Sequence, residues 1–309
     1  MKIIYQSANQ ENQLAPSAVA LGMFDGVHLG HQEVLKKAVQ YAQEHNLQSA
    51  VVTMDDHPCK LTKNCMPLLI TPLQSKLIAL EKLGFDVVYV LHFDETLMNT
   101  RAQDYLQKFL INIMNAKYIV TGYDHYFGKD REGSPEYLRN WGLKNHTETQ
   151  LVPAFSLGQT LVKSSILRDL ISQGKIKEAN LYLGYNFFIY GKVIKGKQLG
   201  SQIGFPTANI ETAEHQLLPA TGVYEAKTYI DGKTFEVAVN IGYRPTVDQN
   251  TKLSVEAHVI GFSGDLYNKF LNIEFINKIR EEKKFNSIEE LKQQIKFDIE
   301  MIECKNLNQ

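Results

Sequence analysis

Residues 21–32 read LGMFDGVHLGHQ, and the order of residue types in this stretch decides the fold of the first half of the chain. Val19 to Leu21 end an apolar run of strand character, after which Gly22 and Gly26 permit tight turns and close backbone approach. From Gly30 onward Val34, Leu35, Ala38, Val39 and Ala42 recur with helical spacing. A strand, a glycine turn and a helix N-terminus together form an anion site, because the first N–H groups of a helix are unpaired and its dipole is positive there. His28 and His31, three apart across that turn, can aim their ring N–H groups at one phosphate. A single histidine near a helix start is more often a cap or a surface residue; a pair in HxGH after an FDG turn is far more specific.

The segments that follow repeat the same alternation. Residues 48–54 (QSAVVTM) read as a buried strand running into Asp55, Asp56, His57 and Pro58. Thr71-Pro72 reads as an N-cap and first helical residue, with Leu73, Leu77, Leu80 and Leu83 behind it and Gly84 as the stop. Residues 86–91 (DVVYVL) form a strand, 102–113 a helix, and 117–121 (KYIVT) a strand leading into Gly122, Asp124 and Gly128. Residues 150–152 are a short strand, and 164–172 and 176–183 are helices, the first closed by Gly174. Strands alternating with helices predict a doubly wound parallel sheet, whose ligands sit outside the carboxyl ends of the strands.

At Gly184 the helical periodicity gives way to short runs rich in Val, Ile, Tyr and Phe: 187–194, 222–230, 233–240, 253–260 and 270–279. Asp231-Gly232 between two of them is a hairpin signal. These runs predict a small antiparallel barrel or strongly curved sheet. Ser287 then opens a final helix, with Glu290 at the capping-box position and Ile288, Leu291, Ile295, Ile299 and Ile302 as its apolar stripe. The expected fold class is therefore α/β plus β, with domains at 1–183 and 184–309. The mixed-sign run 280–284 reads as a solvated turn.

Composition bounds the partners. The formal net charge of −1 over 309 residues offers no basic surface for nucleic acid. No run approaches the roughly 18 apolar residues of a membrane span, and the N-terminus lacks the apolar stretch of a signal peptide. Cys59, Cys65 and Cys304 are odd in number and without CxxC spacing, which argues against a disulfide framework or structural zinc and for reduced thiols in the cytoplasm. Protein partners stay open, weak self-association included.

With these residues in place, GMFDGVHLGHQ resembles the nucleotidylyltransferase superfamily, in particular the adenylyltransferase module of bacterial bifunctional riboflavin kinase/FAD synthetases. The resemblance implies that His28 and His31 contact ATP phosphates and act in catalysis, and that Gly22, Phe24, Asp25 and Gly26 hold the nucleotide. DDHP at 55–58 resembles the family's DPHP, so that His57 and Pro58 would face the flavin; Asp56 replaces a proline and adds a charge beside a phosphate-bearing substrate. Two adjacent Asp residues after a strand are as often a cap or turn. GYDHYFGKDREG at 122–133 resembles the family's GxDFxFG, with Asp124 and Phe127 implied near the flavin and His125 where phenylalanine is usual. Ser164, Ser165 and Arg168 resemble its SSTxIR, a grip on triphosphate, with Lys163 in place of the first serine. That lysine fits a phosphate donor and a solvent-facing residue equally.

In the second half, residues 204–209 read GFPTAN. Thr207 and Asn209 offer two hard oxygen ligands on one side of an extended segment, a set suited to Mg²⁺ shared with ATP phosphates. With Gly196, Gly200, Gly204 and Pro206 around them, they resemble the riboflavin kinase signature and its ATP site. Glu256 lies in the middle of a strand, where a carboxylate turns to solvent or has a task. The resemblance makes it the catalytic base, and implies that Asn240, Arg244 and Arg280 lie beside the flavin. The activities implied are phosphorylation of riboflavin to FMN and adenylylation of FMN to FAD, with ATP, riboflavin and FMN as substrates and Mg²⁺ as cofactor. A kinase whose adenylyltransferase is impaired by Asp56, His125 and Lys163, or a flavin sensor without turnover, are the alternatives.

Overall fold

Strand β2 (Ser17–Leu21) is buried at every residue, as expected of a strand covered on both faces. It lies inside a six-stranded sheet with β1 (Lys2–Gln6), β3 (Gln48–Met54), β4 (Val87–Leu91), β5 (Ala116–Gly122) and β6 (Glu148–Val152). The order is β1-β4-β3-β2-β5-β6, and every pairing is parallel. The computed structural model describes residues 1–6, 15–62, 66–196, 200, 203–244 and 252–306. Cys65 lies outside them.

Helices join the strands: α1 (Leu29–Glu44), the short α2 (Cys59–Thr62), α3 (Leu73–Glu81), α4 (Glu95–Met98), α5 (Ala102–Asp104) and α6 (Pro135–Lys144). The helix expected over 102–113 forms, but from Tyr105 to Ile113 it is wound as a π-helix. Its buried residues Tyr105, Leu106, Phe109, Leu110 and Ile113 join the core cluster beneath the sheet. Thr71 does not cap α3: Pro72 occupies the cap position, and the Thr71 hydroxyl is engaged elsewhere. Some elements go beyond those expected from sequence, β1 and α6 among them: β1 is an edge strand with Ile3 and Tyr5 exposed, and α6 has Ser134 accepting from Tyr137 N–H at 3.0 Å ahead of Pro135.

The chain divides into two compact units, Met1–Ser164 and Ser165–Gln309. That division falls earlier than the change of texture at Gly184, because α7 (Ser164–Ser172) and α8 (Ile176–Leu183) cluster with the second unit. Ahead of them a two-stranded hairpin, β7 (Ser156–Leu157) and β8 (Thr160–Leu161), ends the first. The Asn180 side chain on α8 accepts from Phe187 N–H at 2.8 Å and donates to the Phe275 carbonyl at 3.0 Å.

The second unit holds a closed antiparallel barrel, ordered β10-β13-β12-β11-β14-β9. Its strands are β9 (Phe188–Ile194), β10 (Ala208–Thr212), β11 (Gly222–Ile230), β12 (Lys233–Arg244), β13 (Lys252–Val259) and β14 (Phe270–Arg280). Asp231 and Gly232 both take positive φ, 48° and 85°, as a two-residue turn matched to strand twist requires. β10 goes beyond the strand runs expected from sequence and contains Asn209 of the extended segment noted there. Helix α9 (Ile288–Asn306) follows, with Glu290 N–H on Ser287 Oγ at 3.1 Å and the Glu290 carboxylate accepting from Asn286 N–H at 2.9 Å.

Candidate active sites

In the sheet order, β3, β4 and β1 lie to one side of β2, and β5 and β6 to the other. Crevices for ligands open where strand order reverses in this way, outside the carboxyl ends of the strands. The segments leaving β2 and β5, which carry the HxGH residues and the loop 122–133, therefore flank the crevice of the first unit.

Within the first segment, His28 is the N-cap of α1, and its Nδ1 accepts from His31 N–H at 3.2 Å. An accepting Nδ1 places the proton of the neutral ring on Nε2, the atom left to donate to a ligand. The two imidazoles stack at 3.6 Å between centroids, and Phe24 meets His31 edge-on at 5.4 Å. Burial holds His28 down at about 4; burial, then the neighbouring His28 and Lys76, hold His31 well below its usual value. Both rings are therefore neutral hydrogen-bond donors near neutral pH. His31 Nδ1 is buried without a hydrogen-bond partner among the described residues, a ring nitrogen available to a ligand.

The turn before them is strained, with Phe24 and Val27 at φ 51° and 36°, values that cost free energy for residues other than glycine. Buried hydrogen bonds hold it. The Asp25 carboxylate, 3% exposed, accepts from Thr71 N–H at 2.9 Å and Ile70 N–H at 3.3 Å. Gly26 N–H donates to Thr71 Oγ1 at 2.7 Å, and Ser164 Oγ donates to the Asp25 carbonyl at 2.9 Å. Asp25 and Ser164 thus shape the loop. Gly22 is required because a Cβ there would lie 2.6 Å from the Phe24 ring.

Around the crevice, Asp55 pairs with His92 at 2.5 Å, and Asp56 with Lys60 at 2.5 Å. The added charge of Asp56 therefore has its cation four residues on. His57 Nδ1 accepts from Cys59 N–H at 3.2 Å, and Pro58 beside it is half-buried. Asp124 is exposed at the end of β5, whereas Phe127 is buried against Tyr105 and Tyr137 and covers Gly133, where a Cβ would be 2.5 Å from its ring. His125 is neutral near neutral pH, held down to about 4 by burial and then by Arg131, and its Nε2 is buried without a partner among the described residues. Lys163 is exposed; Ser165 and Arg168 lie on α7 in the second unit. Sequence reasoning missed Lys76. Its ammonium, 1% exposed, donates to the Met23 carbonyl, Thr53 Oγ1 and the Met54 carbonyl, each at 3.0 Å.

The barrel aligns the other candidates by register. Asn209 stands opposite Glu256, and Glu256 opposite Asn240, so one row crosses β10, β13 and β12. Directly opposed residues share a face. Val255, Ala257, Val239 and Ile241, their neighbours along the strands, are buried in the barrel core, so the row faces outward. Asn209 is nonetheless 6% exposed, because the chain at Gly196 closes on it: a Cβ there would be 2.0 Å from Asn209 Nδ2. At Gly200 a Cβ would be 2.4 Å from the Phe205 carbonyl and 3.2 Å from Thr207 Oγ1. Phe205 N–H donates to the Gly200 carbonyl at 2.8 Å, and His258 donates to the Pro206 carbonyl at 2.8 Å. Gly204, with φ 91°, makes the turn between them. Oxygen donors of Thr207 and Asn209 beside a carboxylate fit a hard, partly hydrated cation such as Mg²⁺. No cluster of three or more His, Cys, Asp or Glu suited to a metal occurs among the described residues.

Arg280 is not part of a solvated turn. Its guanidinium grips the buried Asp298 carboxylate on α9 at 2.8–3.0 Å and donates to the Glu281 carbonyl at 3.0 Å. Arg244 ends β12, and its side chain lies outside the described residues.

Residues 10–166 match the FAD synthetase family model, and residues 183–305 the riboflavin kinase model. The bifunctional riboflavin kinase/FMN adenylyltransferase of Bacillus subtilis is 36% identical over 93% of this chain and 92% of its own. That of Haemophilus influenzae is 35% identical over 97% of each. A crystal structure of a macrolide-efflux protein from Streptococcus pneumoniae, 29% identical, superposes with a TM-score of 0.86 over 98% of this chain and 99% of that one. No helix among the described residues is long and apolar enough to cross a membrane. In sequence along nearly its whole length, and in both domain models, the chain belongs to the bifunctional riboflavin kinase/FMN adenylyltransferase family.

Proposed function

We propose that the two activities of the family, riboflavin phosphorylation and FMN adenylylation, reside in separate units of this chain, and that each is carried by the residues described above. The observation that carries this reading is the register of β10, β13 and β12, which brings Asn209, Glu256 and Asn240 into one outward row.

In the barrel, Glu256 accepts the proton of the riboflavin 5′-hydroxyl as that oxygen attacks the γ-phosphate of ATP, giving FMN and ADP. Thr207 and Asn209 would hold Mg²⁺, which when bound neutralises charge on the ATP phosphates. Gly196 and Gly200 let the chain close over both residues, and Asn240 lies beside the base on the flavin side.

In the parallel-sheet unit, the FMN phosphate attacks the α-phosphate of ATP and pyrophosphate leaves, giving FAD. His28 donates from Nε2, His31 lies stacked on it, and the N-terminus of α1 adds its dipole where charge develops. Neutral rings suit this role, since they donate without taking up a proton. The Asp56–Lys60 pair supports a working site, because the charge that departs from the family pattern is neutralised locally. Three cysteines, odd in number and without CxxC spacing, fit reduced thiols and a cytoplasmic setting.

The test is chromatographic separation of riboflavin, FMN and FAD after incubation with ATP and Mg²⁺, begun from riboflavin and, in parallel, from FMN. Wild type yields FAD from both. A variant with His28→Ala and His31→Ala together accumulates FMN without FAD; loss of both products would defeat the separation of sites, and normal FAD would remove the histidines from the chemistry.

A further inference from the structure

Lys76 is a buried cation that the chemistry above leaves unused. It sits on α3, beneath the carboxyl ends of β2 and β3, and its three N–H bonds match three acceptors: the Met23 carbonyl, Thr53 Oγ1 and the Met54 carbonyl, each at 3.0 Å. Thr53 Oγ1 donates to the same Met23 carbonyl at 3.0 Å. Two donors thus fix one carbonyl, that of the residue before Phe24.

A trans peptide is planar, and its N–H points opposite to its C=O. No peptide bond in the described residues is cis. With the Met23 carbonyl drawn onto Lys76 and Thr53, the Phe24 N–H points the opposite way, away from both of them. That N–H has no hydrogen-bond partner among the described residues. A buried donor without a partner is costly, and one aimed at a ligand site is an arrangement for receiving an acceptor.

We propose that Lys76 is a positioning residue of adenylyl transfer: through the Met23 carbonyl it aims the Phe24 N–H at the nucleotide beside His28 and His31. A second effect has the same origin. The charged and titratable groups that face its ammonium are Asp25 after β2, Asp55 after β3 and His31 on α1; the lysine charge helps to keep His31 neutral, and burial brings Lys76 itself down to about 8.

This inference rests on the placement of adenylyl transfer in the first unit, and the experiment separates the two. Wild type that cannot convert FMN to FAD defeats that placement; wild type that converts while Lys76→Met is unimpaired defeats only the role of Lys76. The lysine variant is a near-isostere without donors or charge. In the folded full-length protein, it should phosphorylate riboflavin at the wild-type rate while kcat/KM for FAD formation falls on the order of a hundredfold. The wild-type profile should decline as pH rises past about 8, and the variant should lose that limb. A merely structural lysine would lower Tm and leave the FAD profile unmoved below it. Should Lys76→Met not fold, Thr53→Val removes the other donor to the Met23 carbonyl and keeps the charge. Its kcat for FAD formation should fall roughly tenfold, and a value within about twofold of wild type overturns the proposal.

Discussion

Asn209 and Glu256 stand directly opposite each other across β10 and β13, placing a proposed metal ligand and a proposed base on adjacent strands of one face. Geometry of this kind ties each residue's effect to a single activity, which makes the roles separable by experiment.

Replacement of Glu256 by Gln keeps size and hydrogen bonding but removes the base. Riboflavin phosphorylation should fall by roughly a hundred to ten thousandfold, while FMN supplied directly is still converted to FAD. Initial rates of FMN and FAD formation check both halves.

At Gly196 an added methyl carbon would stand 2.0 Å from Asn209 Nδ2, so Gly196→Ala must displace that amide. The expected outcome is a loss of kinase turnover on the order of tenfold or more, with a raised magnesium requirement and unchanged FAD formation from FMN. A magnesium titration of both reactions reads it.

Arg280→Leu leaves the buried Asp298 carboxylate with Gln294 as a hydrogen-bond donor but without its counter-charge, and should destabilise the second unit by roughly 3–5 kcal/mol. Thermal unfolding should show the barrel transition lowered. The double variant with Asp298→Asn should recover part of the loss.

Acid should weaken the first unit through His28, His31 and His125, all held below 6.5 in the folded chain. Between pH 6.5 and about 4 the unfolded chain binds more protons, so stability is full above 6.5 and is lost as pH falls through this window. In His125→Phe the unfolding free energy of the first unit, read by urea denaturation, should fall less steeply between pH 7 and 4.5 than in wild type, the difference being at most about 3 kcal/mol.

The histidine turn, the alternating strands and helices, and the barrel were legible because periodicity and glycine punctuation are local signals. β3, α7 and β11 follow the ranges read from sequence residue for residue. β10 escaped because GFPTAN carries turn residues up to its first ladder position, and only pairing with β9 and β13 makes it a strand. The cap on α6 was written in Ser134-Pro135 and could have been read. Lys76 could not: a lysine in an amphipathic helix looks solvated until tertiary structure buries it under two strand ends. For the same reason Thr71 looked like a cap, although its hydroxyl serves Gly26 across the fold, and Arg280 looked like one charge in a run until α9 brought Asp298 to it.

Alternation along β13 gives Val255 and Ala257 to the barrel interior and Glu256 to the outside. A slip of one residue in this pairing would bury a carboxylate and expose two apolar side chains at the same moment that it removed the base from Asn209 and Asn240. Misregistered chains are therefore both unstable and inactive, so selection for a foldable barrel and selection for turnover act on the same hydrogen-bond ladder.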